Sequence, residues 1–418
     1  MTPTTRLAPL IVLLGVLGVS TASRPLFGIT TPVHTRSLKD YVQKVLVPID
    51  ECYEGKFPWL PGSLHDSYNG GCDNCASKGD AADLCSTCLR VYETLYNQSF
   101  PDDRFSEYKS GCLNCAAYES DTNGTCPECL QRFYSSGLPP SRFYEYRDGC
   151  VGCMAKGGNS LRCFQCLDDF NKTGLPEDQF YVYRDGCLQC ANKADPMNDV
   201  CSTCVEDATY MFEKGFPMNK FYQYRDGCVS CAGYSDPNAE CPTCLKNFVQ
   251  DTGLKDSQFS QWRSGCLTCQ NKGDVSEGCT KCHNDFDAMD LTPSYLQTHQ
   301  SACHGCSDLD ETITGECFEC VSKWPTLGMS DSYYSYFESG CKNCGGKSVY
   351  EKPCMTCVEE FPGHLAKDHP DLLDDYSSAC GSCTSKGDKA TDCMDCLKSY
   401  PEDSDKTFGE YKDVCLSL

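Results

Sequence analysis

Apolar residues recur along this chain at helical spacing, in a unit of about 38 residues that carries two distinct stripes. In the first stripe an apolar or aromatic residue stands seven positions before a cysteine and another four before it. Phe143 and Tyr146 precede Cys150, Phe180 and Tyr183 precede Cys187, and Phe221 and Tyr224 precede Cys228. With a second cysteine three residues on, these positions share one face of a helix, helix A. The second stripe is a third cysteine, a fourth three residues later, the residue after it and an aromatic three further on. Cys126, Cys129, Leu130 and Phe133 form one example; Cys163, Cys166, Leu167 and Phe170 form another. That spacing predicts helix B, starting near the third cysteine, with Pro127 and Pro242 at the first helical position. Gly137-Leu138-Pro139, Gly174-Leu175-Pro176 and Gly215-Phe216-Pro217 read as its stop: a left-handed glycine, an apolar residue folding back, a proline barring continuation.

Nine residues before the first cysteine stand Ser63, Asp103, Ser141, Asp178, Asn219, Ser257, Ser294, Ser332 and Asp371, all good helix N-caps. The truncated tenth copy has Lys406 there and breaks the pattern. Glycine or alanine directly precedes the first cysteine of every complete repeat, as at Gly71, Gly111, Gly149 and Ala302. Mid-helix glycine costs about 1 kcal/mol, so its recurrence points to close helix contact or to a helix end. The fold class that follows is all-α, a disulfide-stapled solenoid of about nine helix-hairpin repeats. In architecture it is similar to tetratricopeptide-type arrays, whose defining motifs are absent.

All 38 cysteines fall into this register: nine C-x-x-C…C-x-x-C sets between Cys72 and Cys396, flanked by the lone Cys52 and Cys415. Spacing alone admits disulfides, zinc sites or redox centres. The ends discriminate among pairing schemes. Pairing confined to one repeat orphans Cys52 and Cys415, and joining each helix B wholly to the next helix A orphans Cys75 and Cys393. Joining the second cysteine to the third, and the fourth to the first of the next repeat, uses every sulfur. That ladder begins Cys52–Cys72, Cys75–Cys85, Cys88–Cys112, Cys115–Cys126, Cys129–Cys150 and ends Cys396–Cys415. Zinc quartets leave the two flanking cysteines without a role and suit a reducing compartment better. A redox C-x-x-C needs a lowered thiol pKa, and no copy is distinguished from the others.

Residues 1–22 hold one basic residue, Arg6, then an apolar run from Leu7 to Val19 and small residues around Ala22. They read as a secretory signal peptide, too short for a membrane span. Residues 23–48 read as a flexible leader, with a second, plastid-type targeting segment as the sharper alternative; residues 49–418 form the array. No later stretch is long and apolar enough to cross a bilayer, and the final residues lack the tail of a lipid-anchor signal. The expectation is a secreted protein, oxidised throughout.

A net charge of −23 with no basic cluster excludes nucleic acid as a partner. The acids match no calcium-loop spacing and read as a solvated surface, with weak divalent-cation association as the minor alternative. Arg147, Arg184 and Arg225 each follow a tyrosine and precede an aspartate, in three successive repeats. Two readings fit: surface ion pairs, or an interaction stripe of Tyr146, Arg147, Tyr183, Arg184, Tyr224 and Arg225, residue types that favour interfaces. His299 replaces the usual helix-A aromatic, and His283 and His304 lie near it. This is substitution on a degenerate repeat or, less simply, a local metal site. Asn97, Asn123 and Asn171 lie in N-x-S/T sequons. No catalytic constellation and no cofactor motif stands out. The expected function is a non-enzymatic structural or matrix scaffold, with protein or matrix components as partners. The alternative is a binding solenoid for a protein, glycan or ion.

Overall fold

A computed structural model describes residues 48–53, 59–118, 125–234, 240–249, 254–345, 347–401 and 406–418. The expected signal peptide, nearly all of the leader and Asn123 lie outside the described residues. From Val45 onward the chain forms one compact unit. The described residues contain helices and turns and no strand. The A helices are His65–Ala76, Phe105–Cys115, Phe143–Met154, Phe180–Cys190, Phe221–Cys231, Phe259–Gln270, Leu296–Ser307, Tyr334–Cys344 and Leu373–Cys383, with Phe408–Leu416 as the tenth. The B helices are Ala82–Asn97, Thr125–Gln131, Ser160–Asp168, Met197–Glu206, Glu240–Asn247, Ser276–Asn284, Glu311–Ser322, Glu351–Glu359 and Ala390–Lys398. The short helix Ile49–Tyr53, which carries Cys52, packs on the first A and B helices as a preceding B helix would. Each A helix packs against the B helix on either side of it, and like helices of successive repeats also touch. This is a solenoid of helix hairpins.

The apolar stripes become the core. The residues four before the first cysteine (Tyr68, Tyr108, Tyr146, Tyr183, Tyr224, Trp262, His299, Phe337, Tyr376) are buried. So are those following the fourth (Leu89, Leu130, Leu167, Val205, Leu245, His283, Val321, Val358, Leu397). The end of helix B is joined to the next repeat by aromatic contacts, with ring centroids 5.1 Å apart for Phe133–Phe143, 5.0 Å for Phe170–Phe180 and 5.1 Å for Phe248–Phe259. Edge-to-face pairs of this kind add about 0.5–1.5 kcal/mol each beyond burial.

Two helix starts differ from expectation. The nine side-chain N-caps do not form. Each of those residues sits at the centre of a three-residue 3-10 turn, such as Asp102–Arg104 or Pro140–Arg142, and the α-helix begins at the residue seven before the cysteine, apolar in every copy but the first, where it is His65. Backbone carbonyls of the turn take the first N–H groups, Arg104 donating to Pro101 at 3.0 Å and Phe105 to Asp102, so no side chain is needed. The tenth copy does the reverse. Thr407 caps Phe408–Leu416 by accepting from the Glu410 N–H, while the Glu410 carboxylate accepts from the Thr407 N–H, a capping box. Among the described residues it is the A helix with a side-chain cap. Helix B starts one to six residues before its first cysteine, and Pro127 is third in Thr125–Gln131, still within the first turn. Its stop has the expected form: Gly137, Gly174 and Gly215 have φ of 71°, 67° and 94°, and Leu138, Leu175 and Phe216 are buried behind them.

The glycine before the first cysteine marks a close approach and not a helix end. A Cβ on Gly111 would lie 2.9 Å from Cγ of Arg147 and 3.0 Å from Leu130. On Gly186 it would meet Cγ of Arg225 at 2.9 Å. The side chain three before the next first cysteine crosses over this gap, a long one from Lys109 to Gln300 and the short Ser377 over Gly340.

Candidate functional site

The structure pairs all the cysteines in 19 disulfides, and none is free. Cys52 joins Cys72, Cys75 joins Cys85, Cys88 joins Cys112, Cys115 joins Cys126, Cys129 joins Cys150, and the last pair is Cys396 with Cys415. The local reason is the C-x-x-C on helix A. Three residues turn the chain by about 300°, so neighbouring sulfurs on almost one face reach the B helix before and the B helix after. In this oxidised form no sulfur is available as a metal ligand or nucleophile.

A hydrogen bond accompanies many inter-repeat bridges. The residue four before a first cysteine donates to the carbonyl of the fourth cysteine that is bridged to that first one. Tyr108 reaches Cys88 O at 2.7 Å, Tyr183 reaches Cys166 O at 2.7 Å, Trp262 reaches Cys244 O at 2.8 Å and Tyr411 reaches Cys396 O at 3.0 Å. Cys166, Cys244 and Cys396 lie in the last turn of their B helices and Cys88 lies inside Ala82–Asn97, and in each case the ring donor uses the carbonyl's second lone pair or an otherwise open one. Aromatic bulk and one polar tip thus do two jobs at one position.

That placement corrects the expected interaction stripe. Tyr146, Tyr183 and Tyr224 are fully buried, so they present nothing to a partner. Their hydroxyls serve the interior, Tyr146 donating to Asp168 at 2.7 Å. Arg147, Arg184 and Arg225 lie half-buried over the glycines of the preceding repeat, and each pairs with the aspartate that follows it, at 2.6, 2.8 and 2.6 Å. Arg225 also donates to Val182 O at 3.3 Å, and Arg263 to Gln223 O at 3.1 Å. These side chains stitch one A helix to the next. Tyr336 is exposed in a later repeat; in these three repeats the exposed aromatics are neighbours: Tyr144, Tyr181 and Tyr222, 43 %, 50 % and 46 % exposed, each six before a first cysteine. Their sequence signal was the second aromatic of Phe-Tyr at the helix start, masked by its more regular neighbours.

The histidines form the second feature. His283 is wholly buried where other repeats have leucine or valine; its Nε2–H donates to Trp262 O at 3.0 Å and its Nδ1 has no partner. His299, also buried, donates from Nε2 to Cys282 O at 2.7 Å, repeating the tyrosine bond, and its Nδ1 accepts from the Tyr334 hydroxyl at 2.8 Å. His304 bonds the Gly265 carbonyl and keeps an unpartnered, buried Nε2. Burial pushes His283 down to about 3 and His299 to about 4, so both are neutral. Each of the three lies with its nitrogen and two cysteine sulfurs mutually within 4.8 Å: Cys244/Cys266/His283, Cys269/Cys279/His304 and Cys282/Cys303/His299. A cavity of about 420 Å³ beside the last of these groups is lined by Cys282, His299, Lys281, Asp285, Phe318 and Glu319, among others.

Among the described residues no helix is long and apolar enough to cross a membrane. No protein-family model matches the chain, and no curated protein does.

Proposed function

We propose that the chain is a secreted, non-enzymatic scaffold whose role is mechanical: a covalently laddered helical stack of a surface or matrix. The observation that carries this reading is the consumption of every cysteine in bridges that tie each helix to both neighbours. So complete an oxidation belongs to an oxidising compartment, in keeping with the signal-like residues 1–22. Bridges closing loops of this size contribute on the order of 3 kcal/mol each by restricting the unfolded chain, because no single repeat buries enough apolar surface to stand alone. Alkylation without reduction is expected to add no groups to the intact mass. Full reduction and alkylation are expected to collapse the helical circular dichroism and open the chain to protease; an unchanged spectrum would refute the scaffold reading.

A second reading, a solenoid that binds a glycan or matrix protein, is favoured by one observation. Tyr144, Tyr181 and Tyr222 repeat on the outer side of three successive A helices, each three residues from an arginine and so beside it on the helix surface. Replacing all three by alanine is expected to abolish retention on matrix polysaccharides and leave the melting temperature within a few degrees. Unchanged retention, or none by the native chain, would remove this reading.

A further inference from the structure

The three histidine–disulfide groups are consecutive along the ladder. Cys244–Cys266, Cys269–Cys279 and Cys282–Cys303 are successive bridges, and between them they include all four cysteines of the sixth repeat, Cys266, Cys269, Cys279 and Cys282. Among the described residues these are the groups of metal-ligating type. Each histidine stands where the repeat otherwise prefers an apolar residue. His283 follows a fourth cysteine, the place of Leu245 and Leu167; His299 holds the place of Trp262 and Phe337; His304 follows a first cysteine, the place of Leu267 and Leu188. Leucine would fill the first and third places without burying an imidazole nitrogen that finds no hydrogen bond. His283 Nδ1 and His304 Nε2 are such nitrogens, an arrangement that lowers stability unless something else uses them.

We propose that the sixth repeat is a convertible segment in which three disulfide staples are replaced, on reduction, by three Cys2His sites for a thiophilic divalent cation of the Zn2+ type. The reductant is a dithiol. For each bridge it supplies two electrons and two protons, becoming a disulfide itself while the protein gains two thiols. The cation then takes two thiolates and one imidazole, releasing two protons, and water completes the tetrahedron. A tetrahedral zinc ion holds its sulfur ligands about 3.8 Å apart, so the groups need only small side-chain shifts from their present span of 4.8 Å or less. Two of the sets draw on three successive helices: Cys244 from Glu240–Asn247, Cys266 from Phe259–Gln270 and His283 from Ser276–Asn284; then Cys269 from Phe259–Gln270, Cys279 from Ser276–Asn284 and His304 from Leu296–Ser307. A bound ion therefore keeps the connections the bridge made and adds a third helix. The cavity lined by Cys282 and His299 opens a path to the last of the three.

The test uses the full oxidised chain and Cd2+ as probe. A water-soluble phosphine, which does not hold the metal as a dithiol does, opens bridges by taking oxygen from water to form its oxide. After partial reduction with Cd2+ present and removal of free metal, bound Cd2+, its thiolate charge-transfer absorption and the map of opened bridges are read together. The expected result is Cd2+ uptake rising to three per chain, with opening concentrated at the three bridges named. The comparison is His283→Leu/His299→Phe/His304→Leu, which restores residues that other repeats carry and is checked for native circular dichroism, with the three single variants beside it. The triple variant is expected to lose at least about tenfold in bound Cd2+, and each single variant one equivalent. Equal uptake by native and triple variant, opening scattered along the ladder, or no uptake by the native chain would each overturn the proposal. The scaffold reading would survive any of them.

Discussion

At Gly340 a Cβ would lie 2.7 Å from Cβ of Ser377, a short side chain that cannot swing away, whereas at Gly315, inside Glu311–Ser322, it would meet nothing within 4 Å. Alanine in a helix interior gains about 1 kcal/mol over glycine, and overpacking costs about 1–3 kcal/mol. Gly315→Ala is therefore expected to raise the thermal midpoint and Gly340→Ala to lower it, both measured with the bridges intact. The buried histidines give the array an acid-sensitive region. His283 and His299 titrate near 3 and 4 when folded against about 6.5 when unfolded. The unfolded chain thus binds more protons below pH 6.5, and the stability that the neutral rings contribute, complete above that pH, is lost as pH falls toward 4 and 3. Hydrogen exchange in Ser276–Asn284 and Leu296–Ser307 is expected to quicken over that window, and His283→Leu/His299→Phe to flatten the response.

Between residue and element lies the question of how helices begin. Ser141→Ala is expected to change stability by no more than about 0.5 kcal/mol, since Ser141 sits inside a 3-10 turn and caps nothing. Thr407→Ala removes a capping box and is expected to cost about 1 kcal/mol, seen as faster amide exchange confined to Phe408–Leu416. Helix identity, the apolar faces and the glycine stops were legible in the sequence because periodicity and left-handed glycine are local properties. The caps were misread because serine and aspartate suit a 3-10 turn as well as a cap, and only the backbone decides between them. The tyrosines of the expected stripe were misplaced for a related reason: Tyr146 and Tyr144 differ by two positions, and only packing shows which of them turns inward.

At the scale of the whole molecule the ladder makes deletion of a staple a local event. Cys129→Ser/Cys150→Ser removes a bridge between repeats and is expected to lower stability by about 3 kcal/mol, with exchange rising in Thr125–Gln131 and Phe143–Met154 and little change two repeats away, as nearest-neighbour arrays behave. The order of the pairs has a further effect. Counted from the N-terminus, each cysteine is joined to its immediate neighbour in the chain, first to second and third to fourth, through to Cys396 and Cys415. The closed loops lie side by side like links, none nested in another and none threaded. An oxidase that joined cysteines in order of emergence would make every bridge correctly, with no reshuffling. Between Cys52 and Cys415 every connection between helices falls inside a link, and the segments outside one are the two-residue C-x-x-C spacers, sheltered within helices. A protease cutting at any number of connections is therefore expected to leave a single band on a non-reducing gel and a ladder of fragments once reductant is added: the molecule can be nicked throughout without coming apart.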